Sequence, residues 1–241
     1  MSTTTISRDI LKDLIEHTLG FDGVDTIKVT GTDKETSINT VSEDRKVIIS
    51  GKFKTPVDEF TGVFGIPQII KLKTILSFSD EYNEDAVISM TMKNMNGVDY
   101  PVAIRFQNKD SDFVNEHRLM SKSIVDEKII EVVFAGATWD INFEPSIAGV
   151  TRLKKQFMVH NEETAFSTKV ENGALVISFG NVATHNANFI FQPTIVGKSK
   201  QTLEWPVKHF LKVMDLQGDK RIYISDQGAM KIIVDTAVTV C

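Results

Sequence analysis

Cysteine is almost absent. Only Cys241, the last residue, carries a thiol, which excludes an internal disulfide framework and any cysteine-rich metal site. Histidine is hardly commoner, and His17, His117, His160, His185 and His209 fall into no metal-ligand spacing, so no metal is expected. Also missing are a Gly-x-Ser-x-Gly elbow, a phosphate-cradling Gly-rich loop and a dinucleotide fingerprint. The carboxylates that do cluster, Asp9, Asp13 and Glu16, sit at helix-face spacing, where a solvated face explains them. No cofactor and no catalysis are expected. No run of about 18 apolar residues occurs, and MSTTTISRD lacks the basic-then-apolar order of a signal peptide. A cytoplasmic protein with no membrane partner is therefore expected. Positive charge is in deficit too, with 27 Lys and Arg against 32 Asp and Glu. That deficit argues against a nucleic-acid partner unless the cations are gathered in one place.

What is present is a chain of 241 residues, 41% hydrophobic, long enough to bury a core in one large or two small domains. Ser7 is an N-cap candidate before Ile10, Leu11, Leu14, Ile15 and Leu19 at helical spacing. Three β-prone runs follow between Val24 and Phe53, separated by polar turns, then a short strand at Phe60 to Phe64. Pro67 opens a second helix, since proline at the first turn gives up an N–H that has no partner anyway. A hairpin around Asn96-Gly97 joins Ala86–Met92 to Tyr100–Phe106. Residues 107 to 137 are less regular and are expected to hold a connector.

The order then repeats. A strand at Thr138 to Phe143 precedes a helix opened by Pro145-Ser146 and running to about His160, with Ile147, Val150, Leu153 and Phe157 inward. Strands follow at Ala165–Val170, Ala174–Phe179 and Ala187–Ile195, then a helix opened by Pro206, then a hairpin of Arg221–Ser225 and Met230–Val234. Pro206 lies 139 residues after Pro67, and both begin Pro-x-x-x-x-Leu-Lys. The spacing predicts an internal duplication of a helix–strands–helix–strands unit. The fold class is α+β, as two similar domains, each with two helices on antiparallel sheet. The first is expected at 1–118, the connector at 119–137 and the second at 138–241.

The helices gather the cations. Around Pro206, Val207, Phe210, Leu211 and Met214 form one stripe, so Lys208, His209 and Lys212 face away. Around Pro67, Ile69, Leu72 and Leu76 form the stripe, with Lys71 outward and Lys73 at its rim. Arg152 and Lys155 oppose the stripe of the third helix. The first helix offers only Lys12, with Arg8 nearby, among acids. No aromatic residues interleave with these lysines, as a single-strand stacking groove requires, so the strip suits duplex phosphates contacted without base readout.

The segments FTGVFGIPQIIKLKTILSF, LEWPVKHFLKVMDL and KIIVDTAV resemble the two-domain DNA polymerase sliding clamps, the family that includes PCNA and the processivity factors of T-even-like phages. The resemblance implies a DNA clamp fold and a non-catalytic homotrimeric ring, loaded on duplex DNA by a clamp loader and tethering a DNA polymerase. By the same resemblance, Arg8, Lys12, Lys71, Lys73, Arg152, Lys155, Lys208 and Lys212 face DNA. One strand of the joint between subunits is then near Ala187 to Ile195, and the other is an edge strand late in the first domain. Client peptides are expected beside the connector, where Val132, Val133 and Phe134 either line a groove or form an ordinary core strand. The second half reaches Cys241 one strand short of the first, which leaves that strand merged or outside the sequence. Two other readings stand beside this one: a structural β-rich virion or assembly protein with no DNA-binding role, and an enzyme whose catalytic residues are scattered.

Overall fold

The computed structural model describes residues 5–95, 97–130, 137–180, 183 and 185–241. The chain forms two compact units, Met1–Val132 with Ala237–Cys241, and Val133–Thr236.

In the first unit, Ser7 caps helix α1 (Arg8–Thr18), its hydroxyl accepting from the Asp9 amide at 3.3 Å, and Leu11, Leu14 and Ile15 are buried. Strands β1 (Ile27–Gly31), β2 (Thr36–Val41) and β3 (Ile48–Phe53) form an antiparallel meander, and β4 (Gly62–Ile66) pairs on the other side of β1. Helix α2 (Ile69–Leu76) begins two residues after Pro67, because Gln68 takes a left-handed conformation at the cap (φ 52°). Strands β5 (Val87–Met95), β6 (Val98–Gln107) and β7 (Val114–Arg118) make a second antiparallel sheet. Helix α3 (Lys122–Lys128) follows.

The region expected to be irregular, 107–137, thus contains β7 and α3. Alternation in Val114–Arg118 is polar-rich, which hid the strand. α3 belongs to the first unit: Lys28 pairs with Asp126 at 2.8 Å, Lys128 donates to Thr26 Oγ1 at 2.8 Å, and Met120 exchanges backbone hydrogen bonds with Gly65. A Cβ on Gly65 would meet Val125 at 2.8 Å, so glycine is what lets the segment lie so close. Val132, Val133 and Phe134 lie outside the described residues.

The second unit opens with β8 (Ile141–Phe143) and helix α4 (Ile147–Val159), capped by Ser146, whose hydroxyl accepts from the Gly149 amide. Strands β9 (Ala165–Glu171) and β10 (Ala174–Phe179) turn at Asn172-Gly173, both at positive φ as a two-residue hairpin requires. Strands β11 (Ala187–Gln192), β12 (Val196–Gly197) and β13 (Leu203–Pro206) lead into helix α5 (Val207–Asp215), and β14 (Asp219–Ser225) and β15 (Ala229–Asp235) close the unit. Val207, Phe210 and Met214 of the α5 stripe are buried and Leu211 half-buried. Ile147, expected inward, is instead 87% exposed. The buried position on that turn is Gly149, whose missing side chain lets α4 approach β11.

A last strand, β16 (Thr239–Val240), was not expected. It returns to the first unit and pairs with the outer edge of β3, with Thr239 opposite Phe53. Thr239 Oγ1 also donates to Asp13 of α1 at 2.8 Å.

The duplication holds at the level of topology. One sheet runs β4-β1-β2-β3 in the first unit and β13-β9-β10-β11 in the second, with α1/α4 and α2/α5 in the same places of the chain. In the other sheet, Thr5, three residues before α1, bridges β5 at Ser89, as β8 before α4 pairs with β14. Repeated topology with faint identity means that hydrophobic pattern, not particular side chains, carries the fold.

A Cβ at position 149 would stand 2.1 Å from the Phe191 carbonyl oxygen. Alanine gains up to about 1 kcal/mol in helix propensity, but a backbone clash of this kind costs about 1–3 kcal/mol, so Gly149→Ala should lower stability in a denaturant titration. An unchanged or raised midpoint would contradict the close approach of α4 to β11.

Candidate nucleic-acid interface

In each unit two helices lie side by side, α1 against α2 and α4 against α5. The stripes that anchor them settle which way the remaining side chains turn. On α2, Ile69, Leu72, Ile75 and Leu76 are buried, and Lys71 and Lys73 are exposed together with Ile70 and Thr74. On α5, Lys208 is exposed and Lys212 half-exposed, whereas His209, expected to face away, is half-buried. Arg152 and Lys155 are exposed on α4, and the Arg152 guanidinium donates to the Ile190 carbonyl of β11 at 3.2 Å. Lys12 of α1 is exposed but lies 3.6 Å from Asp9, one turn before it.

Arg8 differs from the rest. Half-buried, it donates to the carbonyls of Tyr82 and Leu76. Leu76 ends α2, so the guanidinium satisfies a carbonyl that the helix itself leaves unpaired and sets a cation at the negative end of the dipole. Its charge is engaged inside the first unit and is not presented outward.

Lys154 was missed by pattern reading. It pairs with Asp215 across α4 and α5 and so ties the two helices together. Nothing in the linear spacing links residues 61 apart, which is why only the structure reveals the pair.

Two buried histidines sit under these helices. His117 of β7 hydrogen-bonds the Pro67 carbonyl at 2.8 Å, at the start of α2. Burial holds its pKa below the ordinary value, against the Pro67 bond and with help from the charge of Lys71. His17 on α1 is the opposite case. Burial alone would lower it, but hydrogen bonds from its ring to Asp13, and that residue's charge, outweigh burial and raise the pKa. Among the described residues no group of histidine, cysteine and carboxylate side chains has metal-binding geometry, and no helix is long and apolar enough to cross a membrane.

The architecture is that of a DNA sliding clamp. Over 100% of this chain and 97% of that one, it is similar to A. fulgidus PCNA solved with the C-terminal region of FEN-1, at a TM-score of 0.68 and 7% identity. Over 99% and 95% it is similar to proliferating cellular nuclear antigen from Entamoeba histolytica, at a TM-score of 0.67 and 12% identity. No family model matches the sequence, and no curated protein matches it. The two-domain clamp fold expected from the sequence is therefore the fold observed, and identity this low shows the fold alone.

The two histidines predict opposite pH behaviour. A folded pKa held below the unfolded value near 6.5 means that the unfolded chain takes up protons first, so His117 lowers stability as pH falls through that value. His17, with its folded pKa raised, contributes stability below the unfolded pKa that is lost as pH rises through the folded one. His117→Gln should therefore flatten the acid-side loss of stability between about pH 7 and about pH 5, followed by thermal melts across that range, and His17→Gln should steepen it. A steeper acid loss in His117→Gln would reverse the assignment.

Proposed function

We propose that this protein is a non-catalytic sliding clamp that encircles duplex DNA and tethers a DNA polymerase. The observation that carries the reading is the pairing of whole-chain clamp topology with lysines on the exposed faces of matching helices in both units, Lys71 and Lys73 on α2 and Lys208 and Lys212 on α5. In a chain of net charge −5, cations kept on helices opposite the apolar stripes give a local surface suited to phosphate, with no aromatic or bidentate arrangement for reading bases. Lys12 extends the strip on α1. A clamp loader is the expected further partner.

Strand edges support closure into a ring. β3 has its outer edge filled by β16, but β11, its counterpart in the duplicated unit, ends its sheet, and so does β7; neither has a further strand partner among the described residues. Unpaired edges invite another strand. Pairing β11 of one copy with β7 of the next is a head-to-tail contact, which must close into a ring or grow without limit. A homotrimer is the closed form that this reading takes.

Client peptides are expected to insert apolar anchors beside the connector, where Val132, Val133 and Phe134 either line the groove or form an ordinary core strand. Support comes from the peptide-bound A. fulgidus structure. The scaffold-only alternative leaves the matched lysine faces of the two units without a role.

Lysine contacts alone hold DNA weakly, each neutralised phosphate adding about −0.9 to the slope of log K against log salt, whereas a closed ring holds by topology. Protein loaded on circular duplex should withstand moderate salt and run off once the circle is cut. Lys208→Ala with Lys212→Ala should reduce loading and polymerase stimulation with the trimer intact. Equal retention on circular and linear duplex would rule out encirclement, and full stimulation by the double variant would remove α5 from the DNA surface.

A further inference from the structure

We infer that the joint between copies is polarised by charge, with Arg152 and Lys155 of α4 seated on carboxylates of the neighbouring copy rather than on DNA. The inference rests on the ring reading and names what selects and regulates its joint.

α4 lies over the edge strand β11. Gly149 abuts the Phe191 carbonyl, and the Arg152 guanidinium reaches the Ile190 carbonyl at 3.2 Å. The flank of α4 that carries Arg152, Lys155 and Val159 therefore runs along the open edge, while Lys154 on the other flank is tied to Asp215 of α5. Neither Arg152 nor Lys155 has a carboxylate partner among the described residues. Acids are absent from α4 itself and from the whole stretch between Glu171 and Glu204, which holds β10 and β11. Val159, beside them, is 70% exposed.

The other open edge has the complementary surface. Asn115 of β7 donates to the Tyr82 hydroxyl at 2.7 Å and His117 bonds the Pro67 carbonyl, so both point to the side where α2 packs. On that side Tyr82, Phe78 and Phe113 gather, with ring centroids of Phe78–Phe113 6.2 Å and of Tyr82–Phe113 5.6 Å apart. Phe78 and Phe113 remain 38% and 36% exposed. Around them stand Asp80, Glu81, Asp110 and Asp112, all exposed, with Asn108 linking Glu81 and Asp112. The one lysine of that loop, Lys109, is held by Asp85 at 2.9 Å.

When β7 adds to β11 of another copy, the helix-bearing sides of the two sheets continue into each other. Val159 then covers the Phe78–Phe113 pair, and two unpaired cations meet a carboxylate cluster with no cation of its own to spare. The same polarity makes like halves repel, so joints form head to tail only. Because these pairs lie at the rim, salt weakens them.

The test uses the full-length chain in sedimentation equilibrium, with thermal melts to confirm folding. Raising NaCl from about 0.05 M to about 0.5 M should weaken the wild-type trimer at least about tenfold, as rim ion pairs are screened. Arg152→Glu with Lys155→Glu should weaken it about a hundredfold or more, since reversal replaces attraction by repulsion. Adding Glu81→Lys and Asp112→Lys to that variant should restore assembly. If the first pair of reversals leaves the trimer intact and lowers DNA retention instead, Arg152 and Lys155 face DNA, and the polarised joint is wrong while the ring stands. A wild-type chain that stays monomeric at every concentration overturns the ring itself.

Discussion

Phe210 of α5 packs edge-on against both Phe166 and Phe191, with ring centroids 5.1 and 5.9 Å away. That contact decides what the rest of the second unit can present. Burying an aromatic ring of this size is worth a few kcal/mol, far more than any exposed lysine can gain by turning inward. With Val207 and Met214 beside it, it sets the rotation of α5 about its axis, and Lys208 is left on the outside. Trp205, just before the helix, donates its indole N–H to Thr168 Oγ1 at 2.8 Å, so the helix start is pinned in direction as well as in rotation. In the first unit Ile69 and Leu72 of α2, both fully buried, do the same for Lys71 and Lys73. The charged surface is thus a consequence of core packing.

The two units also show what a duplication preserves when its residues drift apart. The four-strand order and the helix placements recur, yet the ends differ. Among the described residues, β8 covers an edge that in the first unit meets only a one-residue bridge at Thr5, and β16 fills the outer edge of β3 where β11 has no strand beside it. Sheet edges are the costly part of a β structure, since their N–H and C=O groups need partners. The copies thus finish their edges differently, and among the described residues β7 of the first unit and β11 of the second each keep one open.

Much of this was legible in advance, and what was not has identifiable causes. Helices read well because stripe and cap agree: Ser7 and Ser146 both cap where expected, and the Asn172-Gly173 turn lies where its φ demands. β7 was hidden because its one fully buried side chain is His117, a polar residue in a polar run. α3 was hidden because its seven residues bury only Val125 and are held instead by Lys28–Asp126 and Lys128–Thr26, pairs distant in sequence. Ile147 misled because an apolar residue at the right spacing is assumed to point inward, when the close approach of α4 to β11 gave that place to Gly149. Arg8 misled for the converse reason. A cation near a basic strip reads as part of it, but two main-chain carbonyls at the end of α2 had a stronger claim. Charge near a site and charge available to it are different quantities, and hydrogen-bond geometry separates them.

That distinction bears on the net charge. An acidic chain repels duplex on average, yet the repulsion is not spread evenly: Asp80, Glu81, Glu84 and Asp85 fall in one loop, and Asp110 and Asp112 in another that touches it. Exposed charges more than about a Debye length apart, about 8 Å at physiological salt, barely feel one another, so charge has to be counted locally. Within that distance the opposite holds, and Lys12 is discounted by Asp9 at 3.6 Å. On the proposed DNA-binding reading, local charge balance therefore ranks the helices, and by that measure α2 and α5 would attract phosphate more than α1 does.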